Sequence, residues 1–99
     1  MVIDDSILNK LTEYLRNSFE ITDIYLFGSA ANGNFTWESD IDIALYLKDY
    51  NQHSLKEFAK TLFHVQNTIS SRVELHFFPD KTEPLTFSAY VKNMGQKIA

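Results

Sequence analysis

Apolar positions along this chain follow two rhythms. Ile7, Leu8, Leu11, Tyr14 and Leu15 recur at helical spacing, which predicts an amphipathic first helix. Asp4, Asp5 or Ser6 stands in front of it, and each can accept the free amide hydrogens of a helix start. Ile21 to Phe27 is apolar, β-branched and aromatic, and it stops at Gly28; that reads as a strand. A short turn or helix follows from Ser29, with Gly33 as its stop. Ile41 to Leu47 predicts a second strand. Asn51 or Ser54 opens the next helix, with Leu55, Phe58, Ala59, Leu62, Gln66 and Ile69 on its inner stripe. Arg72 to Phe78 is the third strand, closed by Pro79. The last helix begins around Pro84, a residue favoured in a first helical turn. It carries Leu85, Phe87 or Ser88, Val91 and Met94, with Gly95 as its cap.

This order of elements predicts an α/β sandwich, with the helices packed on one face of a three-stranded sheet. The helical crossover between the second and third strands suits parallel pairing, and the short turn between the first two suits antiparallel pairing. The sheet is therefore expected to be mixed. Side chains two apart on a strand share a face. Ile41, Ile43, Leu45 and Leu47 then point into a core, as do Val73, Leu75 and Phe77. The opposite face receives Asp40, Asp42, Ala44 and Tyr46, with Glu74, His76 and Phe78 beside them. That face is expected to form an acidic cleft edged by aromatics, uncovered by any helix of this chain.

Composition narrows the classes. Ninety-nine residues with 44% hydrophobic content suit one packed domain, residues 1–99, rather than a disordered chain. No apolar stretch approaches the roughly 18–20 residues that cross a bilayer, and no signal-peptide pattern opens the chain. There is no cysteine, so disulfides and thiolate metal sites are excluded, which is compatible with the cytoplasm. Thirteen acidic residues against nine basic ones, only two of them arginines, leave a formal charge of −4. A nucleic-acid binder normally presents a basic stripe. Direct nucleic-acid binding is disfavoured.

The chemistry concentrates between the first two strands. Gly28-Ser29 ends the first, ten residues intervene, and Asp40-Ile41-Asp42 opens the second. Gly28 lets a phosphate approach the backbone closely because it has no side chain. Amide hydrogens in such a turn are natural anion donors. Asp40 and Asp42 project together, and two like charges this close repel unless a cation joins them. Hard oxygen ligands of this kind suit Mg²⁺ with substrate phosphates. Glu74 lies on the matching face of the third strand.

The joint pattern resembles the minimal nucleotidyltransferase (MNT) domains of the DNA polymerase β-like superfamily, over nearly the whole chain. The resemblance implies that Gly28 and Ser29 contact phosphate. It makes Asp40, Asp42 and Glu74 the catalytic carboxylates around two Mg²⁺ ions, with ATP as substrate. Two positions depart from the family pattern: Glu74, where many relatives have aspartate, and Asn32, where an arginine is common. Stand-alone domains of this kind are commonly paired with a HEPN-domain toxin in bacteria or archaea, acting as antitoxin by adenylylating a tyrosine of that partner. The resemblance thus implies a cytoplasmic protein adenylyltransferase in a hetero-oligomer. Two alternatives stand beside it: an antitoxin that neutralises its partner by contact alone, and a small-molecule nucleotidyltransferase of the aminoglycoside type.

Other residues have plainer readings. Trp37 packs its loop, with adenine stacking as the alternative. His76 is a polar neighbour of Glu74. His53 and His64 are surface residues, and Asp4-Asp5 is a helix start. Asp80 is the alternative third acid, but it follows Pro79 outside the strand.

Overall fold

The computed structural model describes residues 4–31 and 39–99. Helix α1 (Asp5–Ser18) is followed by strand β1 (Ile21–Phe27), a single 3₁₀ turn (Gly28–Ala30) and strand β2 (Ile41–Leu47). Helix α2 (Gln52–Thr68), strand β3 (Val73–Pro79), helix α3 (Phe87–Met94) and a two-residue strand β4 (Gln96–Lys97) complete the chain. The sheet order is β3-β2-β1-β4. β1 runs antiparallel to β2 and β4, and β3 runs parallel to β2. The mixed pairing expected for the first three strands is present.

One face of the sheet carries the main core. Leu11 and Leu15 of α1, Val65 of α2, and Ile24, Ile41, Ile43, Leu45, Leu47 and Val73 of the strands are completely buried there. Each such side chain contributes about 1.5–3 kcal/mol by leaving water. Asp4 caps α1, its carboxylate accepting the Ser6 amide hydrogen at 2.8 Å. That bond holds its pKa below the ordinary value.

Four expectations need correction. The first concerns the second face, which is covered by this chain itself. α3 crosses it, laying Val91 on Ala44 and Tyr46, with Tyr25, Phe27 and Phe78 packed around them. Tyr46 is fully buried, and its hydroxyl donates to the Ser88 carbonyl at 2.6 Å. Four aromatic side chains on one sheet face carry too much apolar area to be left as a cleft edge. The helices therefore lie on both faces, α1 and α2 on one and α3 on the other.

The second correction is the additional strand. Gly95 does end α3, its amide donating to the Val91 carbonyl at 2.7 Å, but in extended conformation (φ −84°, ψ 174°). The chain then continues straight into β4 beside β1. A two-residue strand is too short to show alternation. The third is the start of α3, which lies at Phe87 rather than Pro84. Leu85 adopts a positive φ of 66°, and Thr86 is the cap, accepting the Ala89 amide at 3.2 Å.

The fourth is the edge of the inner stripe of α2. Phe58, Leu62 and Ile69 pack against the core as expected, but Ser54, Thr61 and Val65 are buried with them while Leu55 and Ala59 are exposed. Asn51 and Ser54 exchange backbone-to-side-chain bonds, Ser54 N–H to Asn51 Oδ1 at 3.0 Å and Asn51 N–H to Ser54 Oγ at 2.9 Å. This reciprocal cap satisfies a buried hydroxyl and fixes which way the helix faces.

Among the described residues, no helix is long and apolar enough to cross a membrane.

Candidate active site

The candidate site lies where β1 ends and β2 begins. Phe27 is the last residue of β1, and the chain turns at Gly28 with φ +71°. This left-handed conformation disfavours any residue with a side chain. Space imposes the same choice. A Cβ built on Gly28 would stand 2.7 Å from Oδ2 of Asp42, closer than real carbon and oxygen atoms sit. Gly28 therefore lets the turn rest directly against a carboxylate. Ser29 follows within the turn, half-buried.

Strand pairing places the acids. Asp42 is opposite Phe27 in the antiparallel pair and level with Glu74 in the parallel pair. Asp40 lies just before β2 and is exposed, whereas Asp42 and Glu74 are half-buried. Alternation turns Ile41, Ile43, Val73 and Leu75 into the main core, so the acids project from the other face. Gly28, Asp42 and Glu74 are thus neighbours across three strand ends.

His76 lies on the acidic face, as expected, but its contact there with Asp42 was not foreseen. Its Nε2 lies 3.5 Å from Oδ1 of Asp42 and is shielded from solvent, with no hydrogen-bond partner among the described residues. The ring packs edge-on against Phe27, centroids 4.9 Å apart. The signal was available: His76 is two residues beyond Glu74 and shares its face.

Other candidates lie elsewhere. Asp80 donates its amide to the Leu47 carbonyl, at the far end of β2. Five residues at about 3.3 Å each put it roughly 16 Å along the strand from Asp42. His64 stacks on Tyr14 at 4.2 Å, and His53 is exposed on α2. Asn32, Gly33 and Trp37 lie outside the described residues.

Beside the turn is a hollow of about 300 Å³ lined by Phe27, Gly28, Ala31, Phe87, Tyr90 and Met94. That volume is at the lower end of the roughly 300–1,000 Å³ of small-molecule sites. A hollow of about 340 Å³ opens at the opposite end of the sheet, near Phe19, Asp49 and His53. It contains none of the candidate acids.

The donor set was tested against a hard divalent cation. Among the described residues, no three acidic or imidazole side chains gather closely enough to hold a metal ion by themselves. Mg²⁺ does not require that, since it is usually bound by one or two carboxylates, with waters and substrate phosphates completing its shell. Asp40 and Asp42, with Glu74 level with the latter, fit such a partial shell.

Comparison with known proteins bears on the family and the fold. The sequence profile described as "Polymerase beta, Nucleotidyltransferase" matches residues 9–99. A candidate protein adenylyltransferase of Methanocaldococcus jannaschii is 33% identical over 69 residues, covering 70% of this chain and 69% of that protein. The crystal structure of a candidate nucleotidyltransferase from Sulfolobus solfataricus superposes with a TM-score of 0.60 at 20% identity. The match covers 94% of this chain and 75% of that one, and it supports the fold.

Proposed function

This chain belongs to the polymerase β-type nucleotidyltransferase family, and from that premise we propose that it is a Mg²⁺-dependent protein adenylyltransferase. One observation carries the reading: the Gly28 turn rests on the Asp42 carboxylate, with Glu74 at the adjoining position of β3. A turn at an exposed glycine and a pair of acids together suit a nucleoside triphosphate delivered with a cation. The apolar hollow between Gly28 and α3 offers room for the nucleoside.

The acceptor oxygen forms a bond to the α-phosphorus. The bond from that phosphorus to the β-phosphate oxygen breaks, and pyrophosphate leaves. Glu74 takes the hydroxyl proton. The turn at Gly28 and Ser29 orients the β- and γ-phosphates. When bound by Asp40, Asp42 and Glu74, Mg²⁺ supplies charge neutralisation for the triphosphate and lowers the pKa of the acceptor hydroxyl. Catalysis of this type is mostly positioning and charge neutralisation.

The acceptor is a tyrosine of a HEPN-domain toxin, and the protein acts as its antitoxin. The M. jannaschii relative, described as a candidate protein adenylyltransferase, supports a protein acceptor. The exposed Leu85, Phe87, Tyr90 and Met94 on and before α3 suit contact with another chain. Neutralisation by contact alone is the second reading, favoured by the incomplete convergence of the acids.

Intact mass spectrometry of the partner, after incubation with this protein, Mg²⁺ and ATP, separates the two. A gain of one or more adenylates, abolished by Asp42→Asn, is the expected result. An unmodified partner that remains bound and neutralised would leave occlusion as the mechanism.

A further inference from the structure

The two oxygens of Asp42 face different neighbours. Oδ2 points toward Gly28, close enough to occupy the space a Cβ would need. Oδ1 faces Nε2 of His76 at 3.5 Å. That nitrogen is buried and meets no other acceptor or donor among the described residues. A buried polar nitrogen left unpaired is costly, and the Asp42 carboxylate, 3.5 Å away, is able to satisfy it. A small rotation of the carboxylate turns this contact into a charge-assisted hydrogen bond.

We propose that His76 is a positioning residue, whose Nε2–H holds Oδ1 of Asp42 and thereby keeps Oδ2 aimed at the Gly28 turn. Two supports hold the imidazole itself. β3 places it on the Asp42 face, in register with Ala44. Phe27 braces the ring edge-on, and Phe27 is also the β-pair partner of Asp42. The side chain that props the histidine is thus anchored to the strand it serves. A carboxylate with one oxygen tied keeps the other free for the cation that accompanies the phosphates. Partners that orient a ligating group in this way commonly contribute 10- to 100-fold to affinity or activity. The consequence for nucleotide binding rests on the function proposed above, whereas the His76–Asp42 contact itself does not.

Two measurements test it. In long-range ¹H–¹⁵N spectra of the unaltered protein, His76 is expected as the Nε2-protonated form, and Asp42→Asn is expected to move its Nε2 resonance while leaving His53 and His64 in place. An unprotonated Nε2, or one indifferent to Asp42→Asn, overturns the proposal. The second is calorimetric binding of ATP with Mn²⁺. His76→Phe keeps the ring and its edge contact but removes the donor, and should weaken binding by about 10- to 100-fold with an unchanged melting temperature. His76→Gln places an amide nitrogen near the former Nε2 and should restore binding to within about threefold of the unaltered protein. Wild-type affinity in His76→Phe, or no rescue by His76→Gln, overturns the positioning role. If the unaltered protein binds no Mn²⁺–ATP, the nucleotide reading fails, and the spectra decide the His76–Asp42 contact alone.

Discussion

At the residue scale, two glycines determine what the backbone can do. Gly28→Ala meets both a positive φ of +71° and the Asp42 carboxylate at 2.7 Å. Left-handed backbone alone costs about 1–2 kcal/mol for a residue with a Cβ. Urea denaturation should show at least that loss, and nucleotide binding should fall further because Asp42 must move. A loss under about 0.5 kcal/mol, the range of an ordinary surface change, would contradict this account of the turn. Gly95 is a different case. Its φ is ordinary, but a Cβ would meet the Val91 and Leu26 carbonyls at 2.6 and 2.9 Å. Both are backbone atoms and cannot swing aside. The Gly-Ser motif was legible in the sequence because ten residues separate it from Asp40-Ile41-Asp42; Gly28 alone would read as an ordinary turn. The role of His76 was hidden, because a contact between β2 and β3 depends on register.

At the element scale, α3 is the part that sequence pattern placed least well. Its anchor is Tyr46, whose hydroxyl reaches the Ser88 carbonyl and whose ring lies 4.4 Å from the Lys92 ammonium. Tyr46→Phe removes that hydrogen bond, and such losses run at about 0.5–1.5 kcal/mol. Thermal unfolding should register the drop, and hydrogen exchange should rise first in α3. Exchange that rises equally in α1 would argue against α3 as the loosened element. A second tie passes through Asp23 on β1, which meets Lys97 of β4 at 2.9 Å and Lys92 of α3 at 3.4 Å. One carboxylate thereby fastens the last helix and the last strand to the same point. No motif announces it, since Asp23 is far in sequence from both lysines.

At the scale of the whole molecule, the same groups predict how stability varies with pH. Burial, with Tyr25 and Asp23 nearby, pushes the Tyr46 phenol up to about 12. Below pH 10 both folded and unfolded chains keep the proton, and the contribution is complete. Between pH 10 and 12 only the unfolded chain releases it, so stability falls by about 1.4 kcal/mol per pH unit. Lys97 is raised by its hydrogen bond to Asp23, and its contribution also fades as pH climbs past the ordinary lysine value. At the acid end, burial works to raise Asp23, but the hydrogen bonds and charges of Lys97 and Lys92 outweigh it and hold the carboxyl low. Its contribution is present above about pH 4 and lost as pH falls through the lowered value. Melting temperature against pH should show a plateau with two falling limbs. Tyr46→Phe should flatten the alkaline limb and Asp23→Asn the acid one; limbs unchanged in both variants would refute the assignment.

Local pattern alone determined the first three strands, their mixed pairing, the existence of the three helices and the inward residues of β2 and β3 in the main core. Those features follow from side-chain period and from turn chemistry, which act over a few residues. Gly28, Ser29, Asp40, Asp42 and Glu74 also stand out in the sequence, through the Gly-Ser to Asp-x-Asp spacing, the family resemblance it carries and the period-2 alternation that puts the acids on one face. Tertiary structure decided what lies on that face. The aromatic area of Tyr25, Phe27, Tyr46 and Phe78 drew α3 across the sheet, the chain end joined β1 as a fourth strand, and strand register brought His76 to Asp42. Each is an interaction between residues distant in sequence, settled by which surfaces are left to bury once the local elements have formed.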